Sequence, residues 1–280
     1  FNSFHFSFSG GEPTLHPGYL KVLRHYVSDV VNCNYQSVHM TSNCSPSIIW
    51  FSKYIEVTRG LHRISITASY HKEFADAKEF SEKLLFLQEN HVRVTINMVM
   101  APEKFAQLWE DALFFHSEGI NVTLKPQSNP SATKVVDGYT EEQLLLLKRG
   151  MPQRDNVSRR QPIMQVEIND REGGVWFLDQ AERFNAFEFN RFKGWECSSG
   201  YRSIIIREPD GSVKRSYSCN DEPLGNIATG FRLFDKPRLC ITESCVSSAD
   251  SKIPKRKSGC HLPLWPENLL PLSSEGPSVL

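Results

Sequence analysis

The run Phe8-Ser9-Gly10-Gly11-Glu12-Pro13-Thr14-Leu15-His16-Pro17 is the turn from which the fold of this chain is read. Before it, Phe4-His5-Phe6-Ser7-Phe8 alternates bulky apolar with small or polar side chains, the period-two pattern of a β-strand. Gly10 and Gly11 end that strand, because a residue without Cβ turns sharply and lets another molecule approach the backbone. Glu12 projects a carboxylate at the strand's C-terminal end, and Pro13 stiffens the exit. Leu20, Val22, Leu23, Tyr26 and Val27 follow at helical spacing. A carboxylate on a glycine turn between strand and helix suits the capture of a ligand's cationic group. An ordinary βα turn with a solvated glutamate has the same local pattern.

The alternation of strand and helix continues. Ser37 to Thr41 reads as a strand ending at Ser42-Asn43, and a helix opening at Ser45-Pro46 carries Ile48, Ile49, Phe51 and Ile55. Arg63 to Ala68 is a strand ending at Ser69-Tyr70-His71, followed by the helical stripe Phe80, Leu84, Leu87. Val92 to Met100 is the next strand, then a helical face of Phe105, Leu108, Trp109, Ala112, Leu113 and Phe115, then the strand Ile120 to Leu124 with Lys125 at its end. Strand starts recur about every 28 residues, close to the ~30 of a βαβ unit. That pattern predicts an α/β fold with a parallel sheet and ligands outside the strand C-termini. Five strand ends then share one rim: Gly10 to Glu12, Ser42-Asn43, Ser69 with His71, Asn97 to Met100, and Lys125. Taken singly, Ser42-Asn43 and Ser69 read equally well as turn or capping residues, and His71 as a solvated loop histidine.

Composition narrows the function classes. The chain has 280 residues, 40% hydrophobic and 23% charged, enough for a substantial core. Thirty-two basic and thirty-two acidic residues cancel, which points to neither a nucleic-acid nor a membrane-surface partner. No apolar run approaches the ~18 residues of a membrane span, and no signal peptide is visible, which leads to a cytoplasmic expectation. Seven cysteines, an odd number, argue against a disulfide framework.

Five of those cysteines, Cys197, Cys219, Cys240, Cys245 and Cys260, crowd the last third. Tyr201 to Arg207 and Ser212 to Tyr217 flank Asp210-Gly211, a strong hairpin signal, so Cys197 and Cys219 stand at the two bases of a hairpin. Cys240-x4-Cys245 has a chelating spacing, and four thiolates select zinc or an iron–sulfur cluster. Cys260 is a spare ligand or free thiol, while Cys33 and Cys44 read as buried structural thiols. Between the two parts, Thr140-Glu141-Glu142-Gln143 reads as a helix start, and the aromatic stretch from Trp176 to Phe192 as core.

The Gly-Gly-Glu-Pro run and its surroundings resemble the glycine-rich motif of the radical S-adenosylmethionine (SAM) superfamily. Gly-Trp-x-Cys-x2-Gly at residues 194–200, the Asp-Gly hairpin, Cys219, Leu224-Gly225-Asn226-Ile227 and the paired Cys240 and Cys245 resemble that superfamily's twitch or SPASM extension. After Cys245 the pattern departs, with Val246-Ser247-Ser248 where a further cysteine often follows, which favours a single-cluster twitch. The resemblance implies a partial (β/α)6 barrel, first strand missing, over residues 1–127, a connecting region over 128–191, a twitch/SPASM-like iron–sulfur domain over 192–261 and a tail over 262–280. It implies that Gly10, Gly11, Glu12 and Pro13 bind the SAM amino group and that Ser42, Asn43 and Ser69 hold its carboxylate or ribose. His71, Asn97 and Lys125 then face a substrate cavity. Cys197, Cys219, Cys240 and Cys245 would ligate an auxiliary [4Fe–4S] cluster. The family's Cys-x3-Cys-x2-Cys motif for the catalytic cluster does not occur in this sequence. That implies an N-terminally truncated chain, inactive alone. The implied activity is reductive SAM cleavage followed by hydrogen abstraction through a 5′-deoxyadenosyl radical. Its partners would be a small-molecule or peptide substrate and an electron donor such as flavodoxin or ferredoxin. The rival expectation is a non-catalytic scaffold with a structural zinc at the same four cysteines.

Overall fold

Five segments with strand periodicity, β1 (Ser3–Phe8), β2 (Tyr35–Ser42), β3 (Arg63–Tyr70), β4 (Arg93–Met100) and β5 (Asn121–Pro126), pair in that order as one parallel sheet. The computed structural model describes residues 3–29, 35–129, 135–152, 166–169, 175–178, 190–207, 210–219, 221–245, 247–251 and 253–257. Cys33, Cys260, most of the aromatic stretch and the 262–280 tail lie outside the described residues. The chain divides into two units, Phe1–Ile163 and Met164–Leu280.

In the first unit the connections between strands are α1 (Tyr19–Asp29), α2 (Ile48–Thr58), α3 (Ala77–Glu89) and α4 (Phe105–Ser117). Right-handed crossovers in a sheet of sequential order bring all four helices to one face. The strand residues pointing at them, including Val38, Met40, Ile66, Val94, Ile96 and Met98, join Leu23, Phe51, Leu84 and Phe115 in one buried core. Each such fully buried side chain contributes about 1.5–3 kcal/mol. Asp76 caps α3 by accepting from the backbone of Lys78 and Glu79. The helix expected to open at Ser45-Pro46 begins instead at Ile48 with Ser47 as its cap, and Ile48 and Ile49 are exposed while Phe51, Tyr54 and Ile55 face the core. A fifth helix, α5 (Glu141–Arg149), opens on the reciprocal capping box of Thr140 and Gln143. Tyr139, Leu146, Leu147 and Met151 pack against the same core.

The second unit is built from short antiparallel pieces. β6 (Val166–Asn169) pairs with β7 (Val175–Leu178). β8 (Trp195–Cys197) is the middle strand between β13 (Arg238–Leu239) and β14 (Lys255–Lys257). A second sheet orders β9 (Ile205–Ile206), β10 (Ser212–Lys214), β11 (Gly225–Asn226) and β12 (Gly230–Phe231) as β12-β11-β10-β9. The β9–β10 hairpin expected at Asp210-Gly211 is present, with Gly211 at φ +67°.

Candidate functional site

In the first unit the rim at the strand C-termini is organised by Glu12. Gly10 and Gly11 adopt φ +93° and +54°, left-handed values that a residue with Cβ takes only at a cost, and they swing the chain out of β1. A Cβ at either position would meet open space, so these glycines serve the turn rather than close packing. The turn leads into a single 3-10 turn, Pro13–Leu15, for which Glu12 is the cap. Glu12 Oε1 accepts from Thr14 N at 3.1 Å, Thr14 Oγ1 at 2.7 Å and Ser42 Oγ at 2.8 Å, and Oε2 accepts from Asn43 N at 2.6 Å. The carboxylate thus fastens the end of β1 to the end of β2. Oε1 carries three donors and Oε2 one, so Oε2 keeps room for a further donor.

Ser42 is buried and also accepts from Cys44 N, while Asn43 Oδ1 accepts from Ser45 N, which closes a tight turn with Cys44 at φ +53°. Burial first, then the Glu12 charge, push the Cys44 thiol up to about 12. The same two causes raise the Tyr19 hydroxyl. Gly11, Glu12, Thr41, Ser42, Asn43, Ser69, His71 and Phe74 line a cleft of about 400 Å³. Its size falls within the ~300–1,000 Å³ of small-molecule sites.

The sheet face opposite α1–α4 is polar. Successive register rows carry Ser7, His39, Ser65 and Arg93; then Thr41, Thr67, Thr95 and Asn121; then Ser69, Asn97 and Thr123; then Val99 and Lys125. His5 pairs with the Ser37 hydroxyl at 2.8 Å and His39 with Ser65 at 2.9 Å, knitting neighbouring strands from this side. Parallel sheets normally bury both faces under apolar layers. Here the face away from the helices is polar instead.

In the second unit Cys197, Cys219, Cys240 and Cys245 are all buried free thiols. Cys197 ends β8, and Cys240, which directly follows β13, is tied to the start of the same strand by Cys240 N to Trp195 O at 2.7 Å and Gly194 N to Cys240 O at 2.8 Å. Cys245 N donates to Asn190 O, and Cys219 N donates to Ser216 Oγ. Burial raises the Cys245 thiol to about 12, partly countered by Lys255, with Cys240, Asp250 and Cys197 adding to the rise. Burial likewise raises Cys219, while Ser216 and Arg215 pull it back. All four thiols belong to the same unit. Yet among the described residues no three His, Cys, Asp or Glu side chains are arranged to hold a metal ion. Metal uptake would require the thiols to draw together and release their protons.

Of the residues picked out from the sequence, the structure gathers Gly11, Glu12, Ser42, Asn43, Ser69 and His71 at one cleft. Gly10 and Pro13 flank Glu12 in the turn, while Asn97 and Lys125 lie on the polar face outside the cleft lining. The structure adds Thr14, on the Glu12 carboxylate, and Thr41 and Phe74, in the cleft lining. Thr14 is signalled by its place two residues after a capping carboxylate, and Thr41 by alternation within β2. Phe74, 90% exposed at the cleft mouth, has no sequence signal separating it from a core aromatic. No helix among the described residues is long and apolar enough to cross a membrane. Comparison with protein-family models, with curated proteins and with solved structures finds no match to this chain.

Proposed function

We propose that this chain forms the SAM-binding sheet and auxiliary-cluster unit of a radical SAM enzyme. The observation that carries the reading is the Glu12 carboxylate, locked at the C-terminal rim of a parallel sheet with acceptor capacity to spare. A fixed carboxylate beside open glycine backbone suits an ammonium group, and the space above Gly10 and Gly11 is clear. Asn43 and Ser69 offer donors for a carboxylate or ribose on the same cleft, while Ser42 acts by holding Glu12. The polar second face supports reading the five strands as part of a (β/α)6 barrel whose interior takes cofactor and substrate, with His71, Asn97 and Lys125 on the substrate side.

Cys197, Cys219, Cys240 and Cys245 supply the thiolate donor set of an auxiliary [4Fe–4S] cluster in a twitch/SPASM-like unit. When bound, SAM and iron–sulfur clusters supply reductive bond cleavage and hydrogen-atom abstraction, chemistry that side chains lack. The chain's residues bind, orient and exclude water. A small-molecule or peptide substrate and a one-electron donor such as flavodoxin or ferredoxin complete the reading. Free thiols throughout the described residues favour a reducing, cytoplasmic setting.

The test is equilibrium dialysis of labelled SAM against the anaerobic chain. Wild type should bind at one site, and Glu12→Gln about tenfold or more weaker, the equivalent of ~1.4 kcal/mol from a charged contact. Equal binding by a folded Glu12→Gln variant, or none by wild type, removes the SAM reading.

A further inference from the structure

Arg215 is the buried charge that the proposed site leaves unexplained. It follows β10 directly, and strand alternation places it on the same side as Val213, the buried residue of the hairpin. Its side chain is only 5% exposed. Nη1 donates to Asp221 Oδ2 at 2.8 Å, and the guanidinium carbon lies 5.7 Å from the centre of the Phe234 ring. Nε and Nη2 are buried and have no hydrogen-bond partner among the described residues. Folded proteins pair nearly all such groups, and a half-paired buried guanidinium points to a missing acceptor.

The surroundings say where that acceptor belongs. Ser199 ties Arg215 to the first cysteine: its hydroxyl donates to Arg215 O and its N–H to Cys197 Sγ at 3.5 Å. Ser216, the next residue, accepts from Cys219 N. The Arg215 backbone is therefore held between the two cysteine-bearing ends of the hairpin, with its guanidinium buried there against Asp221 and Phe234.

We propose that Arg215 is a positioning residue of the thiolate site, its Nε–H and Nη2–H donating to the sulfurs of a metal cluster held by Cys197 and Cys219. The inference rests on the reading that these cysteines bind an iron–sulfur cluster. Four thiolates make such a centre strongly anionic, and hydrogen bonds to its sulfurs raise its reduction potential. Asp221 fixes one edge of the guanidinium so that the other edge stays turned to the centre.

The experiment uses the full chain, reconstituted anaerobically with iron and sulfide. Iron content and midpoint potential are measured for wild type, Arg215→Lys, Arg215→Gln and Asp221→Asn. Arg215→Gln should keep iron at a potential lower by about 59 mV or more, a tenfold change in a one-electron equilibrium, with Arg215→Lys between it and wild type. Iron lost from both Arg215 variants but kept by Asp221→Asn equally supports the contact. Unchanged potentials in iron-loaded variants, or equal iron loss from all three, restrict Arg215 to its ion pair and overturn the proposal. Wild type without iron removes the cluster reading itself, and the proposal falls with it.

Discussion

Ser42 donates its hydroxyl proton to Glu12 Oε1 at 2.8 Å across thirty positions of sequence, joining the ends of two neighbouring parallel strands through a carboxylate. The Asn43 N–H reaches the other oxygen of the same group at 2.6 Å. As the proposed binding carboxylate, Glu12 is held by this clamp in a set orientation before any ligand arrives. That arrangement suits a site whose work is to position a cofactor. Ser42→Ala should therefore weaken SAM binding without touching the ligand, and should cost about 1–3 kcal/mol of stability for the lost bond to a charged acceptor. Urea midpoints read the second effect and dialysis the first. A variant with wild-type stability and affinity would separate the clamp from the site.

Gly10 and Gly11 are left-handed with open space around them, so alanine there pays for backbone conformation alone. Each substitution should cost about 1–2 kcal/mol. Gly11→Asn should be tolerated better than Gly11→Val, because asparagine enters this region more readily than a β-branched residue. The order of thermal midpoints checks it, and valine equal to asparagine would show that the turn rearranges.

Cys44 makes alkaline pH a probe of the rim. Its thiol is raised to about 12 in the folded chain, so the folded state keeps a proton that the unfolded state loses from about pH 9 upward. The stability linked to this group is complete below that pH and drains away as pH climbs toward 12. Urea titrations at rising pH should show a steeper alkaline loss for wild type than for Cys44→Ala. Iodoacetamide at neutral pH should leave Cys44 unmodified until the chain unfolds. Rapid labelling of the native chain at Cys44 would contradict its buried placement.

How much of this was legible beforehand follows from which forces act locally. The βα alternation, the Asp210-Gly211 hairpin and the Thr140 capping box are written in periodicity and turn chemistry, and each is present in the structure. The start of α2 shifted because Ser47, not Ser45, takes the cap position, and Pro46 is left outside. The polar face was hidden because alternation shows two faces but not which one the helices cover; register across five strands decides that. Phe74 looks like a core residue, and Arg215 looks like one more solvated charge on a hairpin. Their placement is settled by tertiary packing, with Asp221 and Phe234 enclosing the guanidinium.

Gly200 tests the packing of the thiol unit. At φ +79°, an added Cβ would stand 2.7 Å from the Phe234 ring and 3.0 Å from Arg215 Cβ. Gly200→Ala must therefore displace the Phe234 ring, the stem of Arg215 or both, and should lower iron uptake to well below that of Gly194→Ala. Gly194 has a similar φ of +78° but no neighbour within 4 Å of a Cβ, so it controls for backbone strain. Equal uptake by the two variants would mean that Phe234 and Arg215 do not shape the site.

The most direct measurement is the iron and zinc content of the anaerobically reconstituted chain, with its absorbance, for wild type and Cys219→Ala. The account predicts a brown protein with about four irons per chain, the content of one [4Fe–4S] cluster, and loss of that iron in Cys219→Ala. Stoichiometric zinc without iron would contradict it and assign the four cysteines to a structural metal instead.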